Sequence, residues 1–180
     1  MINSLAIKFK LNKEQKDNAQ LIYDECLKYK CTENQTRYIL ATAYHECKFK
    51  CIEEIEKGRN KPYGKKLKYR KIKGIHVPYI KPDKLFYGRG FVQLTWYELY
   101  EKFSKILGID LLNNPDLALD SKIASKIIVI GMMQGLFTGA KLTRYINEIK
   151  TDAINARRVV NILDKAKLIK SYFDLITPIS

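Results

Sequence analysis

The stretch KGRNKPYGKKLKYRKIKGIHVPYIKPDK, residues 57–84, sets the strongest limit on the fold. It holds three of the five prolines, three glycines and a crowd of lysines. Proline removes a donor that a helix interior needs, and glycine makes helical order entropically expensive. Long helices are therefore not expected across residues 57–86. The alternation in LKYRKIKGIHVPYI suits a short, exposed hairpin. The whole segment reads as a mobile, irregular basic lobe set beside a core that other residues must build.

Helical patterns flank that lobe on both sides. Ala19, Leu21, Ile22, Cys26 and Leu27 form an apolar stripe within residues 13–29. Thr32 and Gln35 make a T-x-x-Q capping box, which predicts a helix over 33–47. The pattern returns at 94–107, 120–134 and 164–176. Gly108 is placed to stop the first of these, and NNPD at 113–116 is turn chemistry before the second. The expectation is a single, mainly α domain over residues 1–180. With 180 residues and 46% apolar content, the chain is long enough for a real core and too apolar for disorder.

Thirty-three Lys and Arg against nineteen Asp and Glu give a net charge of +14. Such a surface favours polyanions: nucleic acid, an anionic membrane or a bacterial wall. The N-terminal MINSLAIKFKLNKEQ shows no secretory pattern, and no apolar run has the length of a membrane span. Manufacture in a reducing cytoplasm, with free thiols, is the expectation for Cys26, Cys31, Cys47 and Cys51. Cys47 and Cys51, four apart, could share a helix face. Their spacing lacks tight CxxC pairs, so no metal or other cofactor is expected.

The helix ATAYHECKFK raises a different question, because an apolar run there ends in His45-Glu46. A carboxylate at that place must be paired, solvated or used. Further acids follow at Glu53, Glu54 and Glu56. Then FYGRGFVQLTWYELY, residues 86–100, gathers Tyr87, Arg89, Gln93, Thr95 and Trp96 around two glycines. Two carboxylates on separate elements, beside aromatic rings and amides, suit glycoside cleavage. One acid protonates the leaving oxygen; the other activates water or attacks the sugar.

The order AxHE, YGRGFVQLTW, GIDLLNNPDLALD and GMMQGLFTGAKL resembles glycoside hydrolase family 19, which includes plant-type chitinases and phage or bacterial endolysins; the phage type is the most similar. The resemblance runs from about residue 10 to 176. It implies a lysozyme-like helical fold and inverting hydrolysis of a β-1,4 bond between N-acetylated amino sugars. By the same resemblance Glu46 is the general acid and Glu56 the choice for general base, with Glu54 and Glu53 as runners-up. Thr95 helps to hold the attacking water, and Gln93 contacts sugar. Arg89 places a catalytic carboxylate or a loop. Arg157, Arg158 and Asn161 match an ARR-x-x-N segment, whose Asn reaches substrate or water. Tyr87 and Trp96 are candidate sugar contacts, Trp96 being as well suited to the core. His45 either assists Glu46 or is structural, and His76 is assigned to the surface.

Two positions depart from the family pattern. Leu99 stands where an Asn is common, and Ile162 follows Asn161 where Gly is common. The expected function is a peptidoglycan-degrading endolysin that cuts between N-acetylmuramic acid and N-acetylglucosamine. It would act as a monomer on the wall after release through a membrane pore. Its +14 charge would hold it on anionic wall or outer-membrane surface. Chitinase is the alternative enzyme. A basic nucleic-acid- or wall-binding protein is the alternative of another class, although Tyr63, Tyr69 and Tyr79 in the lobe are its only aromatic support and no nucleic acid is expected. A catalytically dead homologue is a further reading.

Overall fold

The computed structural model describes residues 1–81 and 83–177; Pro82, one of the lobe's three prolines, and residues 178–180 lie outside the described residues. Six α-helices are found among the described residues: α1 (Ile2–Lys8), α2 (Lys13–Lys28), α3 (Glu33–Cys47), α4 (Tyr97–Leu107), α5 (Ser121–Gln134) and α6 (Ala166–Leu175). The mainly α expectation therefore holds. Two small antiparallel sheets accompany the helices. One pairs β1 (Ile52–Glu53) with β4 (Arg89–Gly90), the other β2 (Tyr69–Ile72) with β3 (Ile75–Pro78).

Local chemistry explains most boundaries. The Thr32 hydroxyl accepts from the Gln35 N–H at 3.3 Å, while the Gln35 side chain accepts from the Thr32 N–H at 2.9 Å. The same glutamine donates to the Ile146 carbonyl at 2.8 Å, so the cap also ties α3 to a distant turn. Asn12 and Gln15 form an equivalent box on α2. Gly108 and Gly135 close α4 and α5 in the left-handed conformation.

α4 begins at Tyr97 rather than Leu94. Leu94 is held in a bridge with Arg89, and Trp96 has φ 70, so neither can join the helix. This tight return needs Gly90, whose φ is 80 and where a Cβ would stand 2.7 Å from the Ala118 carbonyl. α1 lay outside the sequence expectation. Its seven residues bury Ile2 and Leu5 against the core.

One continuous core joins these elements. α2 packs on α5, and α3 on α6. Tyr38, Phe49, Phe91, Tyr100, Phe103 and Ile127 are all buried within it. Each such side chain contributes about 1.5–3 kcal/mol by leaving water. Met132 is buried in this core and Met133 is half-buried against it.

The basic lobe does form the expected hairpin. Ile72 faces Ile75 across Lys73-Gly74, whose φ values of 48 and 84 make a two-residue turn of the primed type. Its base is fastened to α4: Arg70 lies 3.6 Å from Glu98 and 3.5 Å from Glu101, and the Tyr79 hydroxyl donates to Glu98 at 3.1 Å. His76, expected to stand alone on the surface, stacks on Tyr69 at 4.2 Å.

α3 stops at Cys47, so Cys51 does not share its face. All four cysteines are free thiols, and no group of three His, Cys, Asp or Glu is placed to hold a metal among the described residues.

Candidate active site

Glu46 occupies the last turn of α3, which ends because Lys48 and Phe49 turn left-handed at φ 54 and 58. The buried Phe49 pulls the chain back under the helix. The apolar part of α3 thus fixes the turn that carries Glu46. Its carboxylate keeps 20% of its side-chain exposure and meets the Arg157 guanidinium at 2.5 Å. Arg157 itself is 3% exposed and also donates to the Asp164 carbonyl at 3.0 Å. The acid is therefore paired and still open to solvent.

The small sheet separates the three glutamates that follow α3. β1 pairs with β4 through Ile52↔Gly90 and Glu53↔Arg89, which delivers Glu54 beside Gly88. One Glu54 oxygen accepts from the Tyr63 hydroxyl at 3.0 Å and the other from the Gly88 N–H at 3.1 Å. Partial burial, together with Glu54, pushes the Tyr63 phenol upward, which keeps it a donor. Glu56 stands elsewhere. It is exposed, its φ is 51, and its carboxylate has no hydrogen bond or ion pair among the described residues. Glu53 is also exposed and accepts from the Tyr87 hydroxyl at 3.1 Å.

The turn that follows β4 connects both carboxylates. The Cys47 thiol reaches the Phe91 carbonyl at 3.5 Å, which docks the end of α3 on this turn. Gln93 donates to the carbonyls of Ile52 and Gly90 at 3.1 and 3.3 Å. Its amide thus braces β1 against the turn, although the sequence suggested a sugar contact. Thr95 is half-buried, and its hydroxyl has no protein partner among the described residues. Trp96 is 39% exposed and meets Tyr63 edge-on at 5.1 Å, so it forms an open aromatic wall and not core.

Other predicted contacts are turned inward or elsewhere. Arg89 is 3% exposed and holds Asp116 at 2.8 Å, the Tyr100 hydroxyl at 3.0 Å, and the carbonyls of Leu85 and Tyr87. It places a loop, and no candidate acid is among its partners. Tyr87 is buried beneath it, with the guanidinium 3.6 Å from the ring centre. Arg158 is exposed and donates to Asn155 at 3.3 Å. Asn161 is exposed and accepts from the Ile162 N–H at 2.8 Å. Arg157, not Arg158, is the member of the pair that meets Glu46.

His45 is half-buried with its ring 6.4 Å from that of Tyr172, and no hydrogen bond joins it to Glu46 among the described residues. Burial lowers its pKa despite the neighbouring Glu46, so the ring is neutral near pH 7. A groove of about 700 Å³ runs between the basic lobe and residues 113–120. It includes Tyr87 but neither Glu46 nor Glu54.

The sequence places Tyr63 only among the lobe aromatics and Arg157 only within the ARR match, with neither assigned to a carboxylate. Tyr63 lies within the PYG that closes the acid-rich segment, which was a usable signal. Nothing in ARR distinguishes the inward arginine; the 3₁₀ turn over Asn155–Val159 does so.

Known proteins share parts of this sequence and its fold. The sequence model for class I chitinases, glycoside hydrolase family 19, matches residues 63–135. An inactive chitinase-like protein 1 of Hevea brasiliensis is 48% identical over 44 residues, which are 24% of this chain and 14% of that protein. Endochitinase 1 of Theobroma cacao is 50% identical over 46 residues, 25% of this chain and 14% of its own length. The chain therefore matches only about a seventh of the length of these relatives. In fold, a bacterial family 19 chitinase gives a TM-score of 0.56 at 18% identity, covering 97% of this chain and 93% of the other. Chitinase C from Streptomyces griseus HUT6037 gives 0.59 at 15% identity, covering 100% and 78%. The likeness to glycoside hydrolase family 19 thus covers residues 63–135 in sequence and nearly the whole chain in fold.

Proposed function

We propose that this protein hydrolyses β-1,4 bonds in a polymer of N-acetylated amino sugars by an inverting, two-carboxylate mechanism. The observation that carries the reading is the unlike setting of two carboxylates on separate elements: Glu46 against Arg157 at the end of α3, and Glu54 after β1 between the Tyr63 hydroxyl and the Gly88 N–H.

Glu46, in its protonated form, gives its proton to the glycosidic oxygen as the bond to the anomeric carbon breaks. Arg157 then holds the carboxylate that remains. Glu54 takes a proton from the water that attacks the opposite face of the sugar. Tyr63 and Gly88 fix its orientation, and Thr95 offers a free hydroxyl to the same water. Trp96 supplies an apolar face for a sugar ring. Glu54 thereby replaces Glu56 as the proposed base. No step calls for a metal or organic cofactor.

Chitin is the substrate that the named relatives favour. Peptidoglycan remains the second reading, supported by the phage-type run from YGRGFVQLTW through NPDLAL and by the +14 charge. In that reading the protein is a monomeric endolysin acting on the wall after release from a bacterial cytoplasm. Two of the similar proteins are named inactive, so the test is made on catalysis itself.

That test is mass spectrometry of digests. A chitin hexamer and purified peptidoglycan are each incubated with the native protein and with Glu46→Gln. Shortened chito-oligomers that vanish in the variant support chitinase. Muropeptides with reducing N-acetylmuramic ends support the muramidase reading. No product from either substrate would refute the enzymatic proposal.

A further inference from the structure

The basic lobe has a charge pattern and a shape that glycoside cleavage does not use. Residues 57–81 contain ten Lys or Arg and no Asp or Glu. Among the described residues, Arg70 alone of these ten is ion-paired. Lysines crowded this densely repel one another, so the lobe's surface calls for an anionic partner.

The hairpin within it is two-faced. Residues alternate across a strand, so Arg70, Ile72, Ile75, Val77 and Tyr79 share one face. At the base this face is covered, because Arg70 and Tyr79 dock on α4. At the tip it continues beyond the body, where Ile72 is 45% and Ile75 68% exposed. Lys71 and Lys73 flank these two side chains and are exposed. Ile80, 70% exposed, adds a further apolar side chain near the base. Apolar side chains at a turn, ringed by unpaired lysines, match the layered polarity of an anionic bilayer, with phosphates outside and hydrocarbon beneath.

The aromatic side chains favour a bilayer over nucleic acid. Single strands are bound by open aromatic faces on which bases stack. Of the lobe's tyrosines, Tyr79 is buried and Tyr63 is held by Glu54 and Trp96; Tyr69 is 51% exposed, with one face of its ring against His76. The exposed apolar groups at the hairpin tip, Ile72 and Ile75, are aliphatic.

We propose that the β2–β3 hairpin seats the protein on an anionic phospholipid surface, with Ile72 and Ile75 entering the interface and the surrounding lysines holding the phosphates. The proposal is independent of the glycosidase reading, since vesicle binding needs neither Glu46 nor Glu54.

Co-sedimentation with phosphatidylcholine vesicles, with and without phosphatidylglycerol, tests it. Binding is expected only where phosphatidylglycerol is present, and it should weaken with salt. Lys71→Gln/Lys73→Gln should reduce it by about 20- to 30-fold, at about fivefold per lysine. Ile72→Ser/Ile75→Ser should reduce it by about tenfold and leave most of the salt dependence. Ile149→Ser, at a side chain 99% exposed in a bend outside the lobe, should change nothing. Melting curves establish that each variant is folded. Equal binding to neutral vesicles would overturn the proposal. So would an Ile72→Ser/Ile75→Ser variant that binds as the native protein does, or tight binding of a DNA oligonucleotide with none to vesicles.

Discussion

Replacing Glu54 by Gln tests the assignment of the second carboxylate most directly. Glu54 accepts two hydrogen bonds, from Tyr63 at 3.0 Å and Gly88 at 3.1 Å. An amide keeps one acceptor oxygen but sets its NH₂ against the other donor. One bond to a charged acceptor is lost at a half-buried place, which costs about 1–2 kcal/mol. For a chain of this length each kcal/mol moves the melting temperature by about 2–4 °C, so a fall of about 2–8 °C is expected. The loss of activity should be far larger. Removing a positioned general base lowers the rate by about 10²–10⁴. Glu56→Gln, at an exposed carboxylate without a partner, should stay within about twofold of native on both counts. The assay is initial product release from the substrate that the digests identify, beside thermal denaturation followed by circular dichroism. Native-like activity in Glu54→Gln, with its loss in Glu56→Gln, would refute the reasoning and restore Glu56.

Three further predictions follow from the packing and the charges. Arg157→Met should destabilise the fold by about 2–4 kcal/mol in urea, below the range for a fully buried pair because Glu46 is 20% exposed. Adding Glu46→Gln to it should cost less than the sum of the two single changes; strict additivity would mean that the pair is not coupled. Stability should fall as pH drops below the ordinary histidine value of about 6.5, because burial holds His45 lower in the fold than in the unfolded chain. The unfolded chain then takes up the proton first. Above that pH the group has no effect, and His45→Phe should flatten this part of the curve in urea titrations at stepped pH. Gly131→Ala, within α5, would put a methyl group 2.2 Å from the Phe137 ring. A loss of about 1–3 kcal/mol is expected, and an unchanged melting temperature would show that Phe137 yields freely.

Much of this protein is fixed by local sequence chemistry. The capping box of Thr32 and Gln35, the stop at Gly108, the hairpin around Lys73-Gly74 and the helical stripes are each read within a few residues, because caps, turns and periodicity are local devices. The motif run from AxHE to YGRGFVQLTW likewise carries the resemblance to family 19. Tertiary structure decided what local rules cannot reach. Three glutamates within four residues are alike in sequence. Only the pairing of β1 with β4, nearly forty residues further on, sets Glu54 under the Gly88 N–H and leaves Glu56 in solvent. Two adjacent arginines are alike as well, until a 3₁₀ turn sends Arg157 to Glu46 and Arg158 to the surface. Arg89, Gln93 and Tyr87 carry the strongest motif in the chain, yet they brace the turn from within. A motif records which residues a site requires, whereas long-range pairing and burial determine which of them face the ligand.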